Sequence, residues 1–417
     1  MTDSIKVFHT KDGLEVNLVQ KKGYKQSVVS LAAKFGSLSD HFMNEKGDFE
    51  KIPAGTAHFL EHKLFDKKDG DALVQLANVG ADGNAFTSNG LTAYYFSAYQ
   101  NIQESLSILM HFVQEPYFTK ASVERERGII EEEIASYQDD PFTVLYQGLL
   151  TAAYPKTAMA EDIAGTAESL QEITPELLYR VHRAFYQPGN LVLTVVGDFD
   201  FDTVCEWVES IQEEVKVEPS LSQEGLPVGP INDRSKGNGR KEMAVSLPRM
   251  GLLKKLHLVP GMSTVEQVQL AEMVLDIVFG EQSDWYQDCY QSGLIGDDFD
   301  YEVTIVDSYA YMTFFTAGEE LDKKEKLIRE RLEKIEEVIA QSGNDFRLLQ
   351  KGLIGESIQS QDRLSRQALD EDFLLYGYSL FDKMKLITQF KQSDLLAYCQ
   401  VALEQGPLTR FIVKKSR

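Results

Sequence analysis

The stretch AGTAHFLEHKLF, residues 54–65, carries two histidines four positions apart with a glutamate between them. At about 100° per residue on a helix, His58, Glu61 and His62 project within one third of the circumference, so one face offers two imidazoles and a carboxylate. Such a face suits zinc. Imidazole nitrogens bind that ion at about 2.0–2.1 Å, and reactive zinc sites take a further ligand from elsewhere in the chain while keeping one position open. The same spacing also fits a solvated helix in which Glu61 is an ordinary neighbour of His58. A distant acidic residue has to decide between the two. His9, His41, His111, His182 and His257 have no comparable spacing, and no function is assigned to them.

Acids are concentrated in SVERERGIIEEEIASYQDDP, residues 122–141, an amphipathic helical pattern. Glu126 and Glu133 are seven apart and so share nearly the same stripe. A run of acids on a helix is usually solvated, but Ile129, Ile130 and Ile134 lie close by and are expected to bring both carboxylates to the border of the core. A partly buried carboxylate needs a cation or a hydrogen-bond donor.

Around these two helices the pattern predicts an opening hairpin and a helix from about Gly55. It continues with a strand pair over Gly83 to Tyr99, helices near Ile102 to Val113 and from about Lys120, and a strand over Leu191 to Gly197. Strands and helices mix without regular βαβ alternation, which predicts an α+β fold with a largely antiparallel sheet covered by helices. The second half echoes the first. GLTAYYFSAYQ, residues 90–100, is answered by DSYAYMTFFTAG at 307–318, and ERGIIEEEIASYQ, 126–138, by LQKGLIGESIQSQ at 349–361. VQLAEMVLDIVFGEQSD, where the histidine helix would recur, has no histidine pair, and Ser357 falls opposite Glu133. Residues 216–241, rich in Pro, Gly, Ser and Asn, read as a linker. The expected division is therefore a metal-bearing domain at 1–215 and a degenerate related domain at 242–417.

At 417 residues the chain is long enough for two such cores. Its formal charge of -23 sets a field that repels phosphate backbones and anionic lipid, so nucleic acid and membrane surfaces are poor candidate partners. Cys205, Cys289 and Cys399 are far apart, form no CxxC pair and suggest neither a disulfide framework nor a thiolate metal site. The first twenty residues alternate like a strand rather than reading as a secretory leader, and no apolar run approaches membrane-spanning length. A cytoplasmic location is expected.

Three ordered motifs carry a resemblance to the insulinase and pitrilysin family of inverzincins, whose HxxEH order reverses the commoner HExxH. AGTAHFLEHKLF is similar to the family's zinc helix, ERERGIIEEE to its downstream acidic helix, and HRAFYQPGNLVLTVVGDFD to its FYxPxN…GD strand. GADGNAFTSNGLTAYYFS, residues 80–97, resembles the segment between them. The likeness is to half-length, bacterial, processing-peptidase-like members. It implies two tandem related domains forming one bowl-shaped half of a clamshell, and a zinc-dependent endopeptidase acting on peptides or unfolded segments. By the same resemblance His58, His62 and Glu133 are the ligands of one zinc per chain, and Glu61 is the base that activates its water. Glu126 supports a ligand from outside, and Asn84 and Ala85 belong to an edge strand that binds substrate. Glu132 is a poorer third ligand, since one residue turns its side chain about 100° from the stripe of Glu126.

The likeness breaks in the second half. Family members that act alone or as homodimers place an arginine and a tyrosine there to hold substrate and the oxyanion. In SDWYQDCYQSGLIGDDFDYE, residues 283–302, Tyr290 stands near the arginine position and Gly296 at that of the tyrosine. The mismatch predicts a heterodimer in which a related subunit supplies the Arg/Tyr pair. A homodimer using Tyr286, Tyr290 or Tyr301 is the alternative. A non-catalytic structural or peptide-binding subunit of the same fold is the competing function.

Overall fold

A computed structural model describes residues 4–44, 46–217, 237–403 and 408–416, so the expected linker at 216–241 lies largely outside the described residues. Two compact units form. One is drawn from Met1–Ala135, Asp162–Val228 and Ser360–Ser379, the other from Ser136–Glu161, Gly229–Gln359 and Leu380–Arg417.

In the first unit Ser4–His9 (β1), Glu15–Gln20 (β2), Ser27–Ala33 (β3), Ala81–Thr87 (β4), Thr92–Ala98 (β5) and Leu191–Gly197 (β6) form one sheet in the order β1-β2-β6-β3-β5-β4. Only β2 and β6 pair in parallel. The central strands SVVSLAA and LVLTVVG are buried at every residue, as near-continuous apolar runs are when both faces of a sheet are covered. In the second unit Gly239–Met243 (β7), Arg249–Lys255 (β8), Asp300–Val306 (β9), Tyr309–Ala317 (β10) and Thr409–Lys415 (β11) lie in the order β7-β11-β8-β10-β9. Its one parallel pair is β7 with β11. Strand for strand, in chain order and in pairing sense, this repeats β2-β6-β3-β5-β4. The faint echo between residues 90–100 and 307–318 is thus β5 against β10.

The helices used below are Thr56–Phe65 (α1), Ala72–Asn78 (α2), Ile102–Gln114 (α3), Lys120–Gln138 (α4), Pro141–Ala153 (α5), Pro175–Phe185 (α6), Thr264–Phe279 (α7), Gly343–Ser360 (α8), Leu364–Ala368 (α9) and Glu371–Tyr376 (α10). α1 lies between β3 and β4 as α7 does between β8 and β9, and α4 and α8 each follow the next hairpin. α7 is buried on almost every side and carries no histidine, so the second unit has packing where the first has its candidate site.

Each unit borrows helices from the far half of the sequence. α5 follows α4 in the chain but packs on β8 and β11. The Phe411 ring sits so close to Gly148 and Gly239 that a Cβ at either would collide with it. Reciprocally, α9 and α10 cover the outer face of the first sheet. Leu364, Ala368 and Phe373 bury Val19, Val28 and Val196, while Leu374 buries Ala32, Leu91, Ala93 and Val192. The inner face carries the larger core, with α1, α3 and α6 supplying Phe59, Leu60, Leu106, Leu109, Leu178 and Val181.

Candidate metal centre

The start of α1 is set by Gly55, whose φ of 87° is the left-handed conformation glycine adopts without strain. A Cβ there would lie 2.6 Å from the Ala164 carbonyl oxygen, so the loop holding Ala164 fixes where the helix begins. Phe59, Leu60 and Leu64 are fully buried in the core. The 3.6-residue period then turns His58, Glu61 and His62 together onto another stripe.

α4 brings its acids to that stripe. His58 Nε2 lies 3.8 Å from Glu133 Oε1 and His62 Nε2 lies 3.7 Å from Glu133 Oε2. One ligand atom from each of His58, His62 and Glu133 falls within 4.8 Å of the others, and no other such trio converges among the described residues. Glu132, by contrast, is exposed. Both carboxylates are only partly exposed, Glu126 at 13% and Glu133 at 26%, although the Ile129 side chain near them is itself 48% exposed. One residue from buried Ile130, it is turned about 100° toward solvent. Ile130 and Ile134 do pack against the core.

Glu126 Oε1 is 3.0 Å from His62 Nδ1. Held by Glu126 at Nδ1, the His62 ring turns its Nε2 toward Glu133. Burial lowers the His58 pKa to about 4, with the neighbouring His62 adding to the effect, so His58 is neutral at pH 7. Burial raises the Glu61 pKa, against a bond from Thr87, whose hydroxyl donates to Glu61 Oε2 at 2.6 Å. Against its burial, Glu126, Glu61 and Glu133 raise the His62 pKa, so a metal ion at its Nε2 would compete with a proton. Two imidazole nitrogens facing one carboxylate suit zinc. Donors bound at about 2.0–2.1 Å in a tetrahedron lie roughly 3.4 Å apart, so small side-chain movements would complete the set. The His58 Nδ1 atom is buried without a hydrogen-bond partner among the described residues, whereas its counterpart on His62 is held by Glu126.

Asn84 and Ala85 lie on β4, which among the described residues pairs only with β5 and forms an edge of the sheet. The Ala85 N–H donates to Asn84 Oδ1 at 2.8 Å, so the Asn84 side chain occupies an edge donor. Sequence reading missed Thr87. Strand alternation puts Gly83, Ala85 and Thr87 on one face, and a Cβ on Gly83 would meet Leu73 and Leu76 of α2. A hydroxyl on this helix-covered face was the available signal.

Two sheets of one topology, the first bearing a His/His/Glu trio on HxxEH and acidic helices, define the class. The chain belongs to the insulinase family, peptidase family M16. A family model described as "Insulinase (Peptidase family M16)" matches residues 16–167, and one described as "Peptidase M16 inactive domain" matches 172–341. The uncharacterised zinc protease YmfH of Bacillus subtilis is 31% identical over 415 residues, 97% of this chain and 95% of that protein. Mitochondrial-processing peptidase subunit beta of Bos taurus is 30% identical over 201 residues, 47% of this chain but only 39% of that protein. Among solved structures, an M16-like protein from Alicyclobacillus acidocaldarius aligns over 100% of this chain and 99% of its own with a TM-score of 0.90 and 26% identity. A protease from Helicobacter pylori, at 19% identity and a TM-score of 0.81, shares the fold. Among the described residues no helix is long and apolar enough to cross a membrane.

Proposed function

We propose that this chain is a zinc-dependent endopeptidase acting on peptides or unfolded protein segments. Its zinc-bearing part is residues 1–215, with 242–417 as the degenerate relative, and it works as the catalytic subunit of a two-chain cytoplasmic enzyme. The observation that carries the reading is the convergence of His58, His62 and Glu133 beside the buried carboxylate of Glu61. The three would hold one zinc. Zinc there supplies a Lewis acid that polarises the scissile carbonyl and eases the ionisation of water.

Glu61 has one oxygen tied to Thr87, which leaves Oε1 to receive a proton from the attacking water and pass it to the leaving amide nitrogen. Glu126 orients His62 and keeps its Nδ1 protonated. At the sheet edge formed by β4, an extended substrate would pair with the backbone and displace the Asn84 side chain from the Ala85 N–H. Tyr290 and Gly296 stand where an arginine and a tyrosine would be needed, and losing an oxyanion donor costs about a hundredfold to a thousandfold in rate. A related subunit would supply that pair, as the likeness to a protein named a subunit suggests. A homodimer would instead use Tyr290 or Tyr286, which stack with ring centroids 6.0 Å apart. Tyr301 is less suited, because its hydroxyl already donates to Asp276 Oδ1 at 2.8 Å.

The test is cleavage of a quenched fluorescent peptide by the wild-type chain, with whatever subunit co-purifies, against Glu61→Gln in the same assembly. Glu61→Gln is expected to retain zinc and lose about 100- to 10,000-fold in kcat. Zinc without cleavage in either would leave a peptide-binding or structural subunit. Glu126→Gln is expected to weaken zinc binding by about 10- to 100-fold while stoichiometry at saturation stays near one, read by chelator competition. An unchanged affinity would remove Glu126 from the site.

A further inference from the structure

We infer that Thr87 is a positioning residue for Glu61: its hydroxyl clamps Oε2 and thereby decides which carboxylate oxygen is presented for proton transfer. The inference rests on the peptidase reading for its consequence and on the hydrogen-bond network for its geometry.

A hydroxyl has one proton to give. Thr87 has two nearby acceptors, Glu61 Oε2 at 2.6 Å and Thr92 Oγ1 at 3.5 Å. Thr92 sits directly opposite Thr87 in the β4–β5 register, and its own proton goes to the Phe35 carbonyl oxygen at 2.9 Å. The buried Thr92 is therefore an acceptor toward Thr87 only at the long distance, while the carboxylate is close and cannot donate when ionised. The Thr87 proton is committed to Glu61. On the far side the Tyr94 and Tyr186 hydroxyls bond each other at 3.0 Å.

The backbone that carries Thr87 is held on both sides. The Ser37 N–H donates to the Ser88 carbonyl and the Leu38 N–H to the Asn89 carbonyl, at 3.0 and 3.1 Å, and the Ser88 hydroxyl donates to Glu371 Oε2 at 3.0 Å. Gly36 packs so tightly on Ser88 and Asn89 that a Cβ there would collide with both. Thr87 is thus a fixed donor on the edge hairpin, aimed across to α1. A carboxylate with one oxygen clamped loses the freedom to rotate away, which is the supporting role that outer residues play in a pre-organised site.

The first test compares Thr87→Val, which keeps the shape and removes the hydroxyl, with Thr87→Ser, which keeps the donor. In the assembly that cleaves peptide, Thr87→Val is expected to lower kcat by about tenfold to a hundredfold with little change in KM and unchanged zinc per chain. Thr87→Ser is expected to restore most of that kcat. A Thr87→Val enzyme with wild-type kcat, a Thr87→Ser enzyme as slow as Thr87→Val, or loss of zinc in either would overturn the inference.

The second test needs neither metal nor turnover. In the metal-free full chain, Thr87→Val is expected to lower Tm in the wild-type background and to have little effect when combined with Glu61→Ala. Equal losses in both backgrounds overturn the positioning role by themselves. Coupling in a chain that cleaves nothing with any partner leaves the clamp standing as geometry, overturns its catalytic consequence, and with it the peptidase reading.

Discussion

Purified without added metal, the wild-type chain is expected to carry about one zinc, and His58→Ala and Glu133→Gln far less, by elemental analysis. The loss should exceed the roughly 10- to 100-fold drop in affinity that removing an outer supporting residue costs. Among the described residues no other group of three His, Cys, Asp or Glu converges as these do. His58 and His62 meet Glu133 through Nε2 atoms at 3.8 and 3.7 Å, and removing His58 leaves two donors. Glu126 is occupied by His62 Nδ1 and Glu61 by Thr87, so neither is free to move in without breaking an existing bond. Glu61→Gln should keep its zinc, which separates ligand from base in one experiment. A zinc-free wild type would sink the peptidase reading and leave a structural subunit, whereas equal zinc in all four proteins would put the metal elsewhere.

A fragment ending at residue 217 is expected to be insoluble or unfolded, although it contains every residue of the candidate centre. Without α9 and α10 the outer face of the first sheet bares Val19, Val28, Leu91, Val192 and Val196. At about 1.5–3 kcal/mol for each large apolar side chain returned to water, five of them cost roughly 7–15 kcal/mol. That is of the order of a whole domain's net stability, about 5–15 kcal/mol. Polar ties go with them. The Ser30 hydroxyl donates to the Ala368 carbonyl at 2.5 Å, the Lys21 ammonium to the Gln361 carbonyl at 2.7 Å, and the Tyr24 hydroxyl to Asp362 at 3.0 Å. Circular dichroism and thermal melting of the fragment, alone and with a synthetic 360–379 peptide, measure this directly. A cooperative melt of the fragment alone at the full chain's Tm would disprove the dependence.

The local signals were strong where a single element was enough. The HxxEH spacing names a helix face without reference to any other part of the chain. The strand expected over Leu191 to Gly197 is β6 with those bounds, whereas β3 was not singled out although its apolar run is nearly unbroken. The 3.6-residue period predicted α3 and α4, and it put Glu126 and Glu133 on one stripe. Where the reading depended on which way a side chain faced, it was weaker. Ile129, one of the three isoleucines read as placing the acids beside the core, is exposed, because one residue's rotation outweighs membership of an apolar cluster. Thr87 went unnoticed because one hydroxyl on a strand carries no periodic signature.

The sequence by itself determined the family, the α+β class, the internal repeat and the helix faces on which the histidines and acids stand, since spacing along one helix or strand dictates these. The tertiary structure alone decided the rest. It brought α1 to α4 so that Nε2 of two histidines faces one carboxylate, gave the Thr87 proton to Glu61, and laid α5 and α9–α10 across sheets far from them in the chain. Those arrangements arise from burial and from the pairing of polar groups between distant segments, whose separation along the chain leaves no local pattern to read.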